Sequence, residues 1–415
     1  MYISGPVVGE NFINRQKILA DLERHAAQRQ YCCLIGLRRT GKTSVMIKAM
    51  DNLPPEWLSC YFNVQTSIAV PEQFATTYIG SILFWVLHRQ GLADEASLPQ
   101  FFDLLYAQRQ ALQLDSRTVD EYLLEVANVL ERREINYSQI LQLAFNFPQA
   151  LTDALDRPVA VFIDEFQDIV QMDAYGLETL KLFRSITQMQ SAWYCLAGSS
   201  ISLLNSLVNN KESPLYGQYR TYLVGGFDLE AARELITRQV GHALPEPIIQ
   251  IIYEFTGGYP FYLAVVAGAT AAAVQGGEVD EDAVIAAIVN EVCSPAGTIA
   301  THCRQVFNTM LRMATQSTVS RQVMYYLSHN EPDTAAGVAR YVGRSADFIR
   351  QILQKMVETD LLTYQNRRYS ITDPVLAFWL RKSYFDIEVN PLAQIHLEET
   401  KRRLTQELRQ EILSS

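Results

Sequence analysis

The sequence predicts an α/β protein built on a parallel β-sheet, and two observations carry this prediction. Apolar runs of strand length recur at residues 31–35, 59–64, 158–163 and 193–197, followed by a shorter run at 222–224. Segments with helical spacing of apolar residues separate these runs, as parallel sheets require. Since ligands of such sheets bind at the carboxyl ends of the strands, functional residues are expected directly after each run.

The first run leads into a loop that fits the phosphate-binding pattern G-x-x-x-x-G-K-[ST]. The two glycines let the backbone turn so that several N–H groups converge on phosphate oxygens at the positive end of the following helix. Lys42 is expected to bridge the β- and γ-phosphates, and Thr43 to hold Mg²⁺ through its hydroxyl. The pattern predicts binding of a nucleoside triphosphate. The residues expected to contact it here are Gly36, Arg38, Arg39, Thr40, Gly41, Lys42, Thr43 and Ser44.

The third long run ends in the acidic pair Asp164-Glu165. Hydrolysis of a γ-phosphate needs a metal to neutralise charge and a group to orient the attacking water. Asp164 is expected to hold Mg²⁺ through its water shell, and Glu165 to act as general base. An acidic pair alone is common in solvated turns, so the interpretation depends on the apolar run before it and the phosphate-binding loop upstream.

Two further positions are candidates for the same site. Ser199 or Ser200, after the run at 193–197, is expected to contact the γ-phosphate or the attacking water, with a capping serine as the alternative. No arginine is marked by a motif as an arginine finger. Arg220 is the leading candidate, followed by Arg38 and Arg39.

Composition limits the class of protein. The 415 residues are 48% hydrophobic and 19% charged, with a formal net charge of -10, which indicates a globular protein without broad affinity for nucleic acid or anionic membranes. The six cysteines form no C-x-x-C pair and are expected to be buried thiols in a reduced, cytoplasmic setting. The first residues lack the features of a secretory signal. The apolar stretch at 259–274 is shorter than the roughly 20 residues that span a bilayer, so we expect a buried helix and no membrane partner.

The pattern divides the chain into four parts. Residues 1–226 are expected to form the nucleotide-binding domain, with a helical insertion at about 71–155. From Asp228 the pattern is all-helical, which predicts a helical lid at 227–310. Helix-like segments and two short strand-like runs predict a winged helix-turn-helix at 311–385. Residues 386–415 are expected to form a helical tail, with Leu404, Leu408 and Ile412 spaced for docking or for contact with a partner.

The predicted winged helix suggests a second function class. In its third helix one face is expected to be apolar, formed by Phe348, Ile349, Ile352, Leu353, Met356 and Val357. Residues 316–385 carry nine Lys or Arg against six Asp or Glu. DNA binding is therefore an alternative, and contact with a protein effector is another. The residues expected to contact DNA phosphates are Arg350, Lys355, Arg367 and Arg368.

Taken together, these motifs resemble the archaeal-type ATPase family, which is related to the STAND and AAA+ branches of P-loop NTPases. The resemblance spans nearly the whole chain, and the order of the motifs is its specific part. The matching stretches are residues 5–10 and 12–15, the loop at 36–43, and residues 162–166, 198–200, 213–217, 257–260, 373–375 and 378–381.

The resemblance implies a P-loop NTPase sheet of the ASCE type, with ATP and Mg²⁺ as ligands. It places Phe12 and Arg15 beside the adenine, which favours ATP over GTP, and Pro260 against the nucleotide from the lid. Where the family usually has arginine this chain has Gln218, so finger-type activation would require Arg220 as a substitute. The implied function is a slowly hydrolysing molecular switch in which the nucleotide controls the lid and winged helix, with self-association or a protein effector as possible partners. A small-molecule kinase is disfavoured, because Glu165 is placed for water.

Overall fold

The computed structural model describes residues 5–66, 70–89, 117–189, 191–274, 279–314, 318–388 and 397–413. The chain forms two compact units, Pro6–Val224 and Gly225–Ser415. The boundary falls directly after the last strand of the sheet. The finer division into lid, winged helix and tail stays a prediction.

The first unit contains a five-stranded sheet in which all pairs of strands are parallel. Its order is β2-β3-β4-β1-β5, which confirms the predicted α/β class with a P-loop NTPase sheet. The strand β4 lies between β1 and β3, so the strands that precede the loop, the serines and the acidic pair are neighbours at the centre. The strands are β1 (Tyr31–Ile35), β2 (Leu58–Asn63), β3 (Val159–Asp164), β4 (Trp193–Gly198) and β5 (Tyr219–Leu223).

The sheet is buried on both faces because alternate side chains pack into two different cores. On one face, Cys32 and Leu34 pack with helix residues such as Leu22 and Met46. On the other face, Cys33 and other strand residues join a larger core with the helical insertion. Side chains of a strand point alternately to opposite faces, so a continuous apolar run serves both cores. The helices of this unit are Gln16–Ala27, Lys42–Asn52, Pro71–Arg89, Arg117–Leu130, Tyr137–Leu155, Thr179–Thr187 and Ile201–Asn209.

The fifth strand differs from its prediction. It covers Tyr219–Leu223 rather than residues 222–224. In this edge strand the exposed Arg220 and the partly buried Thr221 stand between Tyr219 and Tyr222, so a search for apolar runs misses the first half of the strand.

Among the residues described in the second unit, the strands form one antiparallel hairpin, β6 (Leu362–Gln365) and β7 (Arg368–Ile371), and the other elements are helices. Three helices precede the hairpin in the order that the sequence predicts, but identification as a winged helix stays a prediction. The remaining elements are Leu229–Val240, Glu246–Thr256, Pro260–Val274, Glu281–Cys293, Thr298–Ala314, Thr318–Asn330, Ala335–Val342, Ala346–Glu358, Pro374–Trp379, the π-helical Leu380–Glu388 and Leu397–Leu413.

The C-terminal helix docks within this unit. Leu404 and Leu408 are buried in its core, while Lys401 Nζ lies 3.2 Å from Asn290 Oδ1 on the helix Glu281–Cys293. Arg409 forms an ion pair of 3.2 Å with Asp282 on the same helix. Of the two uses expected for Leu404 and Leu408, docking or contact with a partner, the structure shows docking.

The apolar helix Pro260–Val274 lies in the same core, as expected. One longer stretch, Glu281–Ala314, is long and apolar enough by composition to cross a membrane, and 56% of its apolar window is buried in the fold. It consists of two helices, Glu281–Cys293 and Thr298–Ala314. Buried core helices commonly meet the same criterion.

Candidate functional site: the carboxyl edge of the sheet

The two glycines of the loop are needed for different reasons. Gly41 has a φ of 94°, a left-handed conformation that side chains with a Cβ rarely adopt. Gly36 has no such angle, but a Cβ there would lie 2.3 Å from the carbonyl oxygen of Val224. Gly36 was expected to let the backbone turn. The structure instead requires glycine there because the backbone that follows β5 lies too close for a side chain.

Lys42 begins the helix Lys42–Asn52 and is 5% exposed. Its Nζ donates to the carbonyl oxygens of Gly36 at 2.9 Å and Leu37 at 2.8 Å. Burial lowers the pKa of Lys42, and the nearby carboxylates of Glu165 and Asp164 act in the opposite direction. A buried ammonium group held by two carbonyl dipoles is suited to exchange them for phosphate oxygens, which compensate its charge better.

Thr43 and Asp164 meet across the edge of the sheet. Thr43 Oγ1 donates to Asp164 Oδ2 at 2.5 Å. The strands β1 and β3 are two strand spacings apart, about 10 Å, so the contact depends on the first turn of the helix crossing above β4. Burial raises the pKa of Asp164, which is 2% exposed, although the hydrogen bond from Thr43 acts against this shift.

Glu165 is oriented by the neighbouring strand. Its backbone is left-handed, with a φ of 51°. Its Oε2 accepts hydrogen bonds from Ser199 Oγ at 2.7 Å and the Ser199 backbone N–H at 3.1 Å. Burial by itself raises the pKa of Glu165, but hydrogen bonds from Ser199 and Gln167 outweigh it and leave the pKa below its ordinary value. Glu165 is therefore an anionic carboxylate in a fixed position.

The other loop residues predicted to touch nucleotide differ in environment. Thr40 is buried, and its Oγ1 donates to the carbonyl oxygen of Leu37 at 2.9 Å. Ser44 Oγ accepts from the backbone N–H of Val7 at 2.9 Å, which ties the N-terminal segment to the phosphate-binding loop. Arg38 is partly buried and Arg39 is exposed, with a φ of 64°. Nucleotide contacts of these residues stay predictions.

Arg220 is not brought to this cluster. The register pairs Arg220 with Cys32, three residues before Ile35 at the end of β1, which is about 10 Å along the strand from the edge. The fifth strand starts earlier than its apolar residues suggest, which puts Arg220 inside the strand rather than at its end. The role of Arg220 as an arginine finger stays a prediction.

Phe12, Arg15 and Pro260 came from the family resemblance alone. Phe12 follows the short 3-10 turn Gly9–Asn11 and packs beside the core under the helix Lys42–Asn52. Arg15 precedes the helix Gln16–Ala27 with a φ of 68°. Pro260 is the first residue of the helix Pro260–Val274 in the second unit. Their roles toward adenine and nucleotide stay predictions.

Two side chains at the site were missed by sequence reasoning. The Tyr61 hydroxyl, near the end of β2, donates to Asp164 Oδ2 at 3.1 Å. Gln167 Nε2 donates to Glu165 Oε2 at 2.6 Å. For Tyr61 the signal was a polar atom close to a strand end. For Gln167 it was a polar residue two positions after the acidic pair, and neither signal is specific without the fold.

The residues predicted to contact DNA lie on the surface of the second unit. Arg350, Lys355, Arg367 and Arg368 are exposed, although Arg350 Nη1 is paired with Asp347 at 2.6 Å. The apolar face predicted for the helix Ala346–Glu358 is wrong at one position, because Phe348 is 44% exposed. Phe348 lies about 90° around the helix axis from the centre of the buried face formed by Ile349, Ile352, Leu353 and Met356.

The sheet order and the loop, acidic pair and serine at its central strand ends define a P-loop NTPase. The sequence matches the family described as "ATPase domain predominantly from Archaea" over residues 12–266, more than half of the chain. The chain belongs to this archaeal ATPase family, and the expected family membership is confirmed. The comparison with curated proteins finds no match.

Solved structures extend the likeness in fold to nearly the whole chain. A Walker-type ATPase of Pyrococcus abyssi is similar with a TM-score of 0.65 and 18% identity, covering 91% of this chain and 99% of that one. The ORC2 protein of Aeropyrum pernix, solved as ADPNP–ADP complexes, is similar with a TM-score of 0.51 and 13% identity, covering 97% of each chain. At these identities the likeness concerns the fold.

Proposed function

We propose that this protein is a Mg²⁺-dependent ATPase that acts as a molecular switch, with ATP bound at the carboxyl edge of the sheet. The observation that carries the proposal is the pair of contacts across that edge: Thr43 with Asp164, and Ser199 with Glu165. They bring the ends of β1, β3 and β4 together around the mouth of the phosphate-binding loop.

The residues fit Mg²⁺. Thr43 and Asp164 offer a hydroxyl and a carboxylate oxygen in direct contact, and Mg²⁺ is bound through oxygen ligands, with few carboxylates, several waters and substrate phosphates. Thr43 would hold the ion directly and Asp164 through water. When bound, Mg²⁺ supplies neutralisation of charge on the β- and γ-phosphates.

Each protein group has a defined part in hydrolysis. Lys42 would leave the carbonyl oxygens of Gly36 and Leu37 to neutralise the phosphates. Glu165 would orient the attacking water and accept its proton, as its anionic state permits.

The switch requires that ATP and ADP favour different arrangements of the molecule, since a ligand shifts an equilibrium only by its differential affinity for the two states. The expected sensor in the second unit is the segment 257–260, where Gly257 and Gly258 have φ angles of 60° and 73° before Pro260. The experiment is small-angle scattering with mass measurement in ADP and in a nonhydrolysable ATP analogue. A nucleotide-dependent change in radius or mass is expected; identical curves would contradict the switch.

Metal dependence has a direct test. Chelation of Mg²⁺ by EDTA should abolish ATP turnover, and excess Mg²⁺ should restore it. Asp164→Asn should require roughly 10- to 100-fold more Mg²⁺ for half-maximal turnover, as typical of altered metal shells. Undiminished turnover in EDTA would contradict metal dependence.

An ATP-modulated DNA-binding regulator remains the alternative function, favoured by four exposed basic residues at 350, 355, 367 and 368. Its test is binding of a labelled DNA duplex across a salt series, with the Arg367→Ala/Arg368→Ala double variant. Salt-dependent binding that the double variant loses would support it. Absence of binding at low salt would end it.

A further inference from the structure

Gln167 is a buried polar side chain that the phosphate-binding motif does not explain. It is 4% exposed and lies in the 3-10 segment Phe166–Tyr175, directly after the acidic pair. Its Nε2 donates to Glu165 Oε2, while its Oε1 is buried with no hydrogen-bond partner among the described residues. Since a buried carbonyl without a partner costs stability, packing alone would favour an apolar side chain here.

Gly198, the last residue of β4, provides the space for this amide. A Cβ on Gly198 would lie 2.0 Å from Gln167 Oε1 and 2.9 Å from Leu204 Cδ2. The φ of Gly198 is outside the left-handed region, so conformational freedom is not what requires glycine. Any larger residue would displace the Gln167 amide.

The amide completes the support of Glu165 from two directions. Ser199 donates from the end of β4, and Gln167 donates from the turn after β3. All three hydrogen bonds reach Oε2, and no described residue donates to Oε1, which is left available to accept a proton. Three donor groups from two residues on one oxygen restrict the rotamer of the carboxylate.

We propose that Gln167, seated against Gly198, is a positioning residue that fixes Glu165 for activation of the attacking water. This inference rests on the proposed role of Glu165 in ATP hydrolysis. Gln167 acts through Glu165, so its removal should affect turnover and leave ATP binding unchanged.

The test is Gln167→Met, which keeps the length of the side chain and removes both polar atoms. We expect kcat for Mg-ATP to fall by about 10- to 100-fold, as when supporting hydrogen bonds of a catalytic site are lost. The Kd for ATP should not change, and Tm should be equal or higher because the unpartnered oxygen is gone. The matched control is Gln171→Met, since exposed Gln171 lies in the same segment and donates to Asp168 at 3.2 Å.

Two combinations separate positioning from a general structural role. Gly198→Ala should lower kcat by displacing the amide, but should cost nothing further in a Gln167→Ala background. Gln167→Met should have no additional effect on the single-turnover rate in a Glu165→Gln background. Full additivity in either pair would overturn the inference, because groups that act through one another are not additive.

The outcomes also separate this inference from the proposed function. If Glu165→Gln loses turnover but Gln167→Met hydrolyses ATP at or above the wild-type rate, the positioning role is wrong and the ATPase proposal stands. If Glu165→Gln hydrolyses ATP normally, Glu165 is not the general base and the positioning role of Gln167 is wrong with it, while ATPase activity itself stands. A kcat loss in Gln167→Met matched by a large fall in Tm would assign Gln167 to the scaffold and overturn its positioning role.

Discussion

The two compact units use partly or fully buried carboxylates in different ways. In the first unit, Asp164 and Glu165 are held by side chains from neighbouring strands, beside a lysine bonded to loop carbonyls. In the second unit, Asp373 accepts from the backbone N–H groups of Val375 at 2.9 Å and Leu376 at 3.2 Å, and from the Tyr262 hydroxyl at 2.6 Å. Ligand oxygens and water could replace the hydrogen-bond partners of Asp164 and Glu165, whereas Asp373 caps the helix Pro374–Trp379. Substitutions should therefore cost activity in the first unit and stability in the second.

The largest effect is expected for Glu165→Gln. Removal of a general base typically costs 10²- to 10⁴-fold, so kcat should fall by about that factor while ATP affinity is retained. Turnover and equilibrium binding, measured together, check this. Glu178→Gln is the control, because Glu178 is exposed and, among the residues that the structure describes, its carboxylate pairs with Lys181. Turnover within a few-fold of wild type would remove Glu165 from its role.

The second effect is one of stability. Asp373→Ala removes an N-cap and leaves the buried Tyr262 hydroxyl without this partner, so the free energy of unfolding should fall by about 2–4 kcal/mol. Asp280→Ala is the matched control, because Asp280 caps its helix through Ala283 at 2.8 Å and is exposed. Denaturant unfolding that gives equal losses for both variants would contradict a separate contribution from Tyr262.

Lys42→Ala should mainly affect ligand binding. Loss of a charge-assisted bond to phosphate should raise the Kd for ATP by about 10- to 100-fold, with little change in Tm. Calorimetric titration checks this, with Lys48→Ala on the same helix as control. Unchanged ATP affinity would contradict a ligand-binding role for Lys42, which would then serve the stability of the fold.

The smallest effect is expected for Tyr262→Phe. It removes one hydroxyl from Asp373 while the two backbone N–H groups remain, so the loss in unfolding free energy should be about 1 kcal/mol. The change is measured by denaturant unfolding beside Asp373→Ala. A loss equal to that of Asp373→Ala would mean that the helix cap contributes nothing.

The sequence predicts some residues of this molecule well and others not at all. The loop, Asp164 and Glu165 were predictable because fixed spacing and buried strands mark them, and the central strand order brings them together. The position of Arg220 inside the fifth strand was not predictable, because Arg220 and Thr221 interrupt the apolar pattern and the strand begins at Tyr219. Gln167 could not be found, since its role depends on a turn and on the missing side chain of Gly198. The exposure of Phe348 likewise depends on where the buried face of its helix is centred.

The central claim is that Lys42, Asp164 and Glu165 surround one triphosphate. The most direct measurement is a crystal structure with Mg²⁺ and a nonhydrolysable ATP analogue. We expect Lys42 Nζ to have moved from the carbonyl oxygens of Gly36 and Leu37 to the phosphates, Thr43 to lie on the metal, and Glu165 to face the γ-phosphate through a water. A nucleotide bound elsewhere, or Lys42 still bonded to the loop with phosphate present, would contradict it.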